Sequence, residues 1–327
     1  MNCDILLTID GNTQTFHSDE ALDVHLFKHR DALLQRSNGK IDPTLSIDED
    51  TVTRLKSLKN GKFKTTPTKN IRTTTVWKYF EDSTLEEFDE ESYRDKFVEE
   101  YLAINPEKAR HDALKAFEKE REKPANLGSD IHYGLQAHFD KDVVINSSNL
   151  HVLSAAETIS FGNNIGHKLD TIFDKTYGKG NWKAFSEFSM FTENIDESKL
   201  RELNANLKAK NPDHEDVTKI SGTTDLIIVD KDGAIHLYDF KTSKRNFSKW
   251  PKNKKKATAL QLETYAAMLK QLGFNVKTTN VVVIDVDVNR NTAAFNGVEA
   301  LPFDRNIVTL VNQVIPNHLE VEVDDLK

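Results

Sequence analysis

Three observations predict a mixed α/β or α+β fold. Helical patterning dominates from about residue 81 to 177. From Trp182 it gives way to strand patterning, with two apolar runs flanking Asp230-Lys231-Asp232-Gly233. A long helical stretch, Ala257 to Leu272, then separates those runs from a further strand.

In chain order, residues 1–36 read as a small α/β piece. Ile5 to Ile9 and Thr13 to Phe16 form two strands about Asp10-Gly11-Asn12, and Ser18 caps a helix presenting Leu22, Leu26 and Leu33. Ser37 to Thr75 carries turn residues and scattered Lys and Thr, and reads as a loose connector. Residues 1–70 are thus expected as an appendage and connector, and 71–327 as the main domain. Within that domain the helical part is 76–180, the catalytic sheet 181–290, and a last helix with an acidic tail 291–327.

Ser83-Thr84-Leu85-Glu86 fits a capping box, and Asn105-Pro106 a second helix start with Pro106 in the first turn. Pro124 and Gly128 should break that helix. A third is expected from Ser129 to Asp140, and a fourth from Asn149 to Phe173, with Gly162 and Gly166 as interruptions. Trp182 to Phe191 reads as a strand and Asp196 to Lys208 as a polar helix. Residues 217–229 and 234–241 pair as a hairpin. Gly273 stops the Ala257 helix, and Val281 to Val288 is a strand whose Asp285 and Asp287 form the polar side of a sheet edge.

Composition narrows the function. The chain has 327 residues, is 38% hydrophobic and 29% charged, and carries a net charge of −8. That length supports a sizeable core. The lone Cys3 excludes an internal disulfide and any cysteine-only zinc or iron–sulfur site. No run approaches 18 apolar residues, and Met1-Asn2-Cys3-Asp4 lacks a basic leader, so a soluble protein of a reducing, cytoplasmic compartment is expected, with no membrane contact. Residues 81–100 hold ten acids against Arg94 and Lys96, which reads as a solvated face. That face and the N-terminal appendage leave room for a protein partner.

The chemistry concentrates around Ser221 to Thr242. Asp239 and Lys241, two apart on one strand, share a face, and Asp225 lies on the preceding strand of the same hairpin. Converging carboxylates repel unless a cation separates them, and oxygen donors suit Mg²⁺ or Mn²⁺. A lysine beside them can orient or deprotonate a water and neutralise a phosphate. Together these groups suit metal-assisted attack on a phosphodiester. Residues 241–256, KTSKRNFSKWPKNKKK, add eight bases and no acid. Lys244, Arg245, Lys249, Lys254, Lys255 and Lys256 would follow phosphates while Phe247 and Trp250 stack on bases, as a single strand requires. The remaining 311 residues hold 36 bases against 52 acids, a net −16, so the acidic average conceals one attractive segment.

Gly222-x-x-Asp225, a hairpin, Asp239-x-Lys241-Thr242 and Gln261-x-x-x-Tyr265 together resemble the PD-(D/E)xK nuclease superfamily. More narrowly the pattern is similar to its RecB-like exonuclease branch, which includes phage and mitochondrial genome-maintenance exonucleases. Leu127-Gly128-Ser129-Asp130-Ile131-His132 resembles that branch's Gly-x-x-x-His helix. Tyr238 replaces the proline of the family's name. The resemblance spans about residues 72–290 and implies a central mixed sheet flanked by helices. It further implies a Mg²⁺- or Mn²⁺-dependent deoxyribonuclease using one or two ions and acting on DNA ends or single strands. An endonuclease of the same superfamily and a non-catalytic DNA-binding or virion protein on this scaffold are the alternatives. His132, Asp225 and Asp239 would hold metal, with Glu187 nearby. Lys241 would position water, and the helix of Gln261 and Tyr265 would face the site. Four-cysteine iron–sulfur relatives are excluded by Cys3, and a phage source would place the protein in the host cytoplasm. No P-loop, H-E-x-x-H, G-x-S-x-G or G-x-G-x-x-G competes. Glu157 is the rival acid, read as structural in its helical context.

Overall fold

A computed structural model describes residues 5–9, 12–16, 47–60, 68–85, 89–301 and 304–316. The expected Ser18 helix, the turns between Ser37 and Ser46, and the acidic tail lie outside the described residues. The chain divides into two compact units, Met1–Ser46 and Ile47–Lys327. In the first, β1 (Ile5–Ile9) and β2 (Asn12–Phe16) pair antiparallel, with Ile9 opposite Asn12.

The second unit begins with α1 (Ile47–Asn60) and β3 (Asn70–Arg72), followed by a helical turn at Thr73–Val76. Next come α2 (Glu90–Ile104), α3 (Arg110–Phe139), α4 (Ala155–Tyr177), β4 (Trp182–Thr192) and α5 (Glu197–Lys210). The rest is β5 (Lys219–Asp230), β6 (Ile235–Ser243), α6 (Lys252–Gln271), β7 (Val276–Asp287), β8 (Thr292–Ala300) and α7 (Arg305–Val314). Six strands form one mixed sheet in the order β3-β5-β6-β7-β8, with β4 also on β5. The β3/β5 and β6/β7 pairs are parallel and the others antiparallel.

Alternation along the strands separates two cores. Ile227, Val229 and Leu237 face α1, α5, α6 and α7, whereas Leu226, Ile228, Tyr238 and Phe240 face α3 and α4. Because both faces are covered, β5 and β7 read as nearly continuous apolar runs. The expected central mixed sheet flanked by helices is borne out.

Residues 47–60, expected within the connector, form a helix that buries Val52 and Leu55 against the sheet. The first long helix starts not at Ser83 but at Glu90, capped by the Asp89 side chain. Ser83 instead sits in a 3-10 turn and donates to the Trp77 carbonyl. Pro106 precedes α3 rather than opening it, and Pro124 lies inside it. An internal proline costs about 3 kcal/mol. Packing on both sides of it holds the helix continuous: Phe117 meets Tyr93 and Phe97 of α2, while Leu127, Ile131 and Leu135 enter the sheet core. Asp285 and Asp287 do not mark an edge, because β8 pairs along β7. Glu157 completes a capping box with Ser154 at the start of α4. No helix among the described residues is long and apolar enough to cross a membrane.

Gly162 and Gly166 are contact points rather than interruptions. A Cβ at Gly162 would stand 2.2 Å from the Gly134 carbonyl oxygen, so these two glycines set how closely α3 and α4 approach. Gly162→Ala should therefore destabilise the protein by about 1–3 kcal/mol in urea unfolding, through overpacking against rigid backbone. Gly297→Ala, with open space around it and no positive φ, should stay within about 0.5 kcal/mol.

Candidate active site

The site opens where β5 lacks a neighbour. β4 runs along one edge of β5. β3 and β6 share the other edge, β3 pairing with 219–221 and β6 with 226–229. Residues 222–225 are left without a ladder partner on that side. Asp225 fills the gap by its side chain: its Oδ2 accepts from the Phe240 N–H at 2.6 Å, beyond the last β5/β6 pair, Leu226–Tyr238.

Glu187 lies across β4 from Asp225, between the pairs Ser186–Leu226 and Phe188–Thr224. Its φ of 47° is left-handed, a strain of about 1–3 kcal/mol for a non-glycine residue. The preceding carbonyl, Ser186 O, accepts from Lys59 Nζ at 2.9 Å, and the same ammonium pairs with Asp140 at 2.9 Å. Lys59 thereby steadies the kink from α1.

His132 arrives on α3. One turn earlier, Gly128 lets the helix lie against the end of β6, where a Cβ would come 2.9 Å from Thr242 Oγ1. His132 Nδ1 stands 3.5 Å from Asp225 Oδ1, and its ring meets Phe240 edge-on. Ligand atoms of His132, Glu187 and Asp225 all lie within 4.8 Å of one another. One imidazole nitrogen and two carboxylates form a mixed donor set that fits a divalent cation of the Mg²⁺ or Mn²⁺ kind, the nitrogen favouring Mn²⁺.

Asp239, fully buried on the next strand, lies beside this set but is engaged differently. Its Oδ2 is 2.6 Å from Lys241 Nζ, and its Oδ1 accepts from Gln261 Nε2 at 3.3 Å. The Gln261 amide also donates to Tyr265 OH at 3.0 Å, and its oxygen receives Lys241 Nζ at 3.4 Å. Both residues are buried, so they brace Asp239 and Lys241 from α6. Tyr265 also accepts from Thr73 Oγ1 at 3.0 Å, over Gly222, where a Cβ would meet both residues at 2.5 Å.

The charges are strongly coupled. Burial opposes the charged form of Asp225, yet His132, Lys241 and the Phe240 amide hold its carboxyl below the usual range. Burial likewise opposes charge on His132, and Asp225 outweighs it to raise the imidazole. Asp239 is pushed up by burial and by Asp225, against the pull of Lys241. Burial works against the Lys241 ammonium too, but Asp239 and Asp225 raise it above the ordinary lysine value. Glu187 is pushed up to about 7 by burial and then by Asp225.

The basic segment differs from expectation. Lys252 to Lys256 form the first turn of α6 rather than a loop. Trp250 is buried, with its indole N–H on the Arg245 carbonyl and Lys254 Nζ 3.9 Å over its ring; Phe247 packs beside it under Lys255. The Trp250 ring is therefore not free to stack on bases, while Phe247 is half-buried. Lys244, Arg245, Lys249 and Lys254 are exposed, Lys255 and Lys256 partly so. The Lys254 pKa is lowered, by burial of its ammonium and then by the charge of Lys241. On the acidic 81–100 stretch, Glu90 pairs with Arg121, Asp95 with Arg110 and Asp82 with Lys199.

Sequence reasoning missed Lys59 and Thr73. The i, i+3, i+6 spacing of Val52, Leu55 and Leu58 was the available sign of α1, but nothing local ties Lys59 to Glu187.

In metal-free protein, folding favours protonated Glu187. Its stabilising contribution is complete below the ordinary glutamate range and is lost as pH rises through about 7. Wild type in EDTA should therefore lose up to ~3 kcal/mol relative to Glu187→Gln between about pH 4.5 and 7, measured by urea unfolding. Parallel pH profiles for the two proteins would refute the placement of Glu187.

Comparison with known proteins identifies the family. A family model described as the PD-(D/E)XK nuclease superfamily matches residues 100–318, two thirds of the chain. No curated protein matches it. A solved structure described as "Crystal structure of SSO0001" is similar at 15% identity and a TM-score of 0.28, over 81% of this chain and 84% of that one, too slight a likeness to carry an argument. On the family match, over a span that holds His132, Glu187, Asp225, Asp239 and Lys241, the chain belongs to the PD-(D/E)XK nuclease superfamily.

Proposed function

We propose that this nuclease hydrolyses DNA with a divalent cation, Mg²⁺ or Mn²⁺, and works as an exonuclease on DNA ends or single strands. The observation that carries the proposal is the convergence of His132 with Glu187 and Asp225 beside the strand bearing Asp239 and Lys241. The histidine supports the exonuclease assignment, because the Gly128-x-x-x-His132 pattern is the one similar to the RecB-like branch.

A cation held by His132, Glu187 and Asp225 would supply Lewis acidity to a phosphodiester oxygen and lower the pKa of a water. Lys241 pairs with Asp239 at 2.6 Å, and as an ammonium it would serve as a donor. It stabilises negative charge on the phosphate as the P–O bond breaks. Asp239 holds Lys241 in place, and Gln261 fixes both. Lys244, Arg245, Lys249 and Lys254 would follow the phosphates of the incoming strand. With Trp250 buried, that contact is electrostatic and falls steeply with salt.

Lys241→Ala should lower kcat by about 10²–10³-fold with little change in far-UV circular dichroism, the scale of losing a preorganised donor. Turnover equal to wild type would remove Lys241 from the mechanism. On 5′- and 3′-labelled linear DNA, cleavage should proceed from ends in Mn²⁺ or Mg²⁺ and stop in EDTA. Digestion of covalently closed circles would replace the exonuclease assignment with an endonuclease. Lys244→Glu with Arg245→Glu should raise KM while leaving the metal requirement unchanged, tested across a salt titration.

A further inference from the structure

A second constellation lies outside the active site. His138, near the C-terminal end of α3, meets His167 and Asp170 of α4, and one ligand atom from each lies within 4.8 Å of the others. His138 Nε2 is 3.0 Å from Asp170 Oδ2, and His167 Nδ1 is 3.5 Å from the same oxygen. A tetrahedral site with bonds of about 2.0–2.1 Å has donor–donor edges of roughly 3.3 Å, between those two separations.

The surroundings are built for the ring. His138 is nearly buried, its side chain 9% exposed. A Cβ at Gly166 would come within 2.2 Å of that ring, so only glycine there leaves it room. On its far side, His138 Nδ1 is 3.2 Å from Asn163 Oδ1. That contact turns the ring so that Nε2 faces Asp170 and His167. Either a proton or a metal ion can lie between Nε2 and that carboxylate, and only a metal ion would engage His167 as well. The His167 ring stands edge-on to His138 at 4.9 Å, and its side chain is 73% exposed, free to settle on an ion.

We propose that His138, His167 and Asp170 form a second metal site, which takes Zn²⁺ and clamps α3 to α4. Two imidazoles and one carboxylate, with a water as fourth ligand, are a donor set that zinc accepts readily. Asn163 acts behind the ligands by orienting His138. Because His132 rides on the same helix, the clamp also holds the histidine of the active site in register. It does not depend on the nuclease assignment.

The test uses the full chain. Active-site zinc is suppressed first by His132→Ala, and that variant is compared with His132→Ala/His167→Ala after zinc loading and gel filtration. The single variant should keep about one Zn²⁺ per chain that the double variant lacks, and zinc should raise its Tm but not that of the double variant. His167 is exposed, so its loss leaves folding intact; His132→Ala/Asp170→Asn gives a second reading of the same site. Equal zinc content and equal Tm shifts in the single and double variants would overturn the proposal.

Discussion

Asp225 occupies the one stretch of β5 that its neighbours leave open, and its carboxylate takes over the hydrogen bond that the missing ladder would have made. That substitution brings a buried negative charge to the centre of the sheet. Such a charge is costly unless it is compensated, and α3 and β6 supply the compensation. Helix α3 brings His132, β6 brings the Phe240 amide and Lys241, and β4 kinks to present Glu187. The second acid opposes Asp225 rather than helping it, and burial together with that repulsion pushes the Glu187 pKa up to about 7. A site that gathers more negative charge than it balances is suited to receive a cation.

Asp239 and Lys241 form the other half of the site under different constraints. Their pairing at 2.6 Å, buried, with Gln261 bonded to both, makes a preorganised unit that needs no rearrangement to present an ammonium. The face that presents the ammonium is thus separated from the face that gathers ligand atoms. Two sides of the sheet are joined in this way, since His132 comes from the α3/α4 layer and Gln261 from the α6 layer. At Gly128 and Gly222 those layers approach the strands too closely for a Cβ.

The charge distribution follows the same division. Part of the acidic 81–100 stretch is spent on ion pairs with α3 and α5, so it is less a free anionic surface than its composition suggests. The exposed bases lie between the end of β6 and the first turn of α6, next to Lys241. Their aromatic neighbours serve packing: Trp250 fills the core and carries Lys254 on its outer face. A basic segment with interleaved rings can be built for stacking on bases or for anchoring itself, and only burial tells the two apart.

The hairpin, the Asp239-x-Lys241 pair, the Gln261-x-x-x-Tyr265 helix and the His132 helix were legible in the sequence because each is a local pattern of period two or four. The helix-covered sheet was expected from the family resemblance, and the apolar runs of β5 and β7 are consistent with it. Other features had no local sign. Pro124 reads as a helix breaker, and only packing on both sides of it keeps α3 whole. Gly162 and Gly166 read as weak points, and only the approach of a second helix makes them contacts. Asp287 reads as an edge residue until β8 is placed beside it. The left-handed Glu187 and its support from Lys59, 128 positions away, depend on contacts far apart in the chain. Residue types and short spacings determined which chemistry this chain carries. Tertiary packing decided which groups converge and which are covered, because convergence depends on distance in space and period alone cannot supply it.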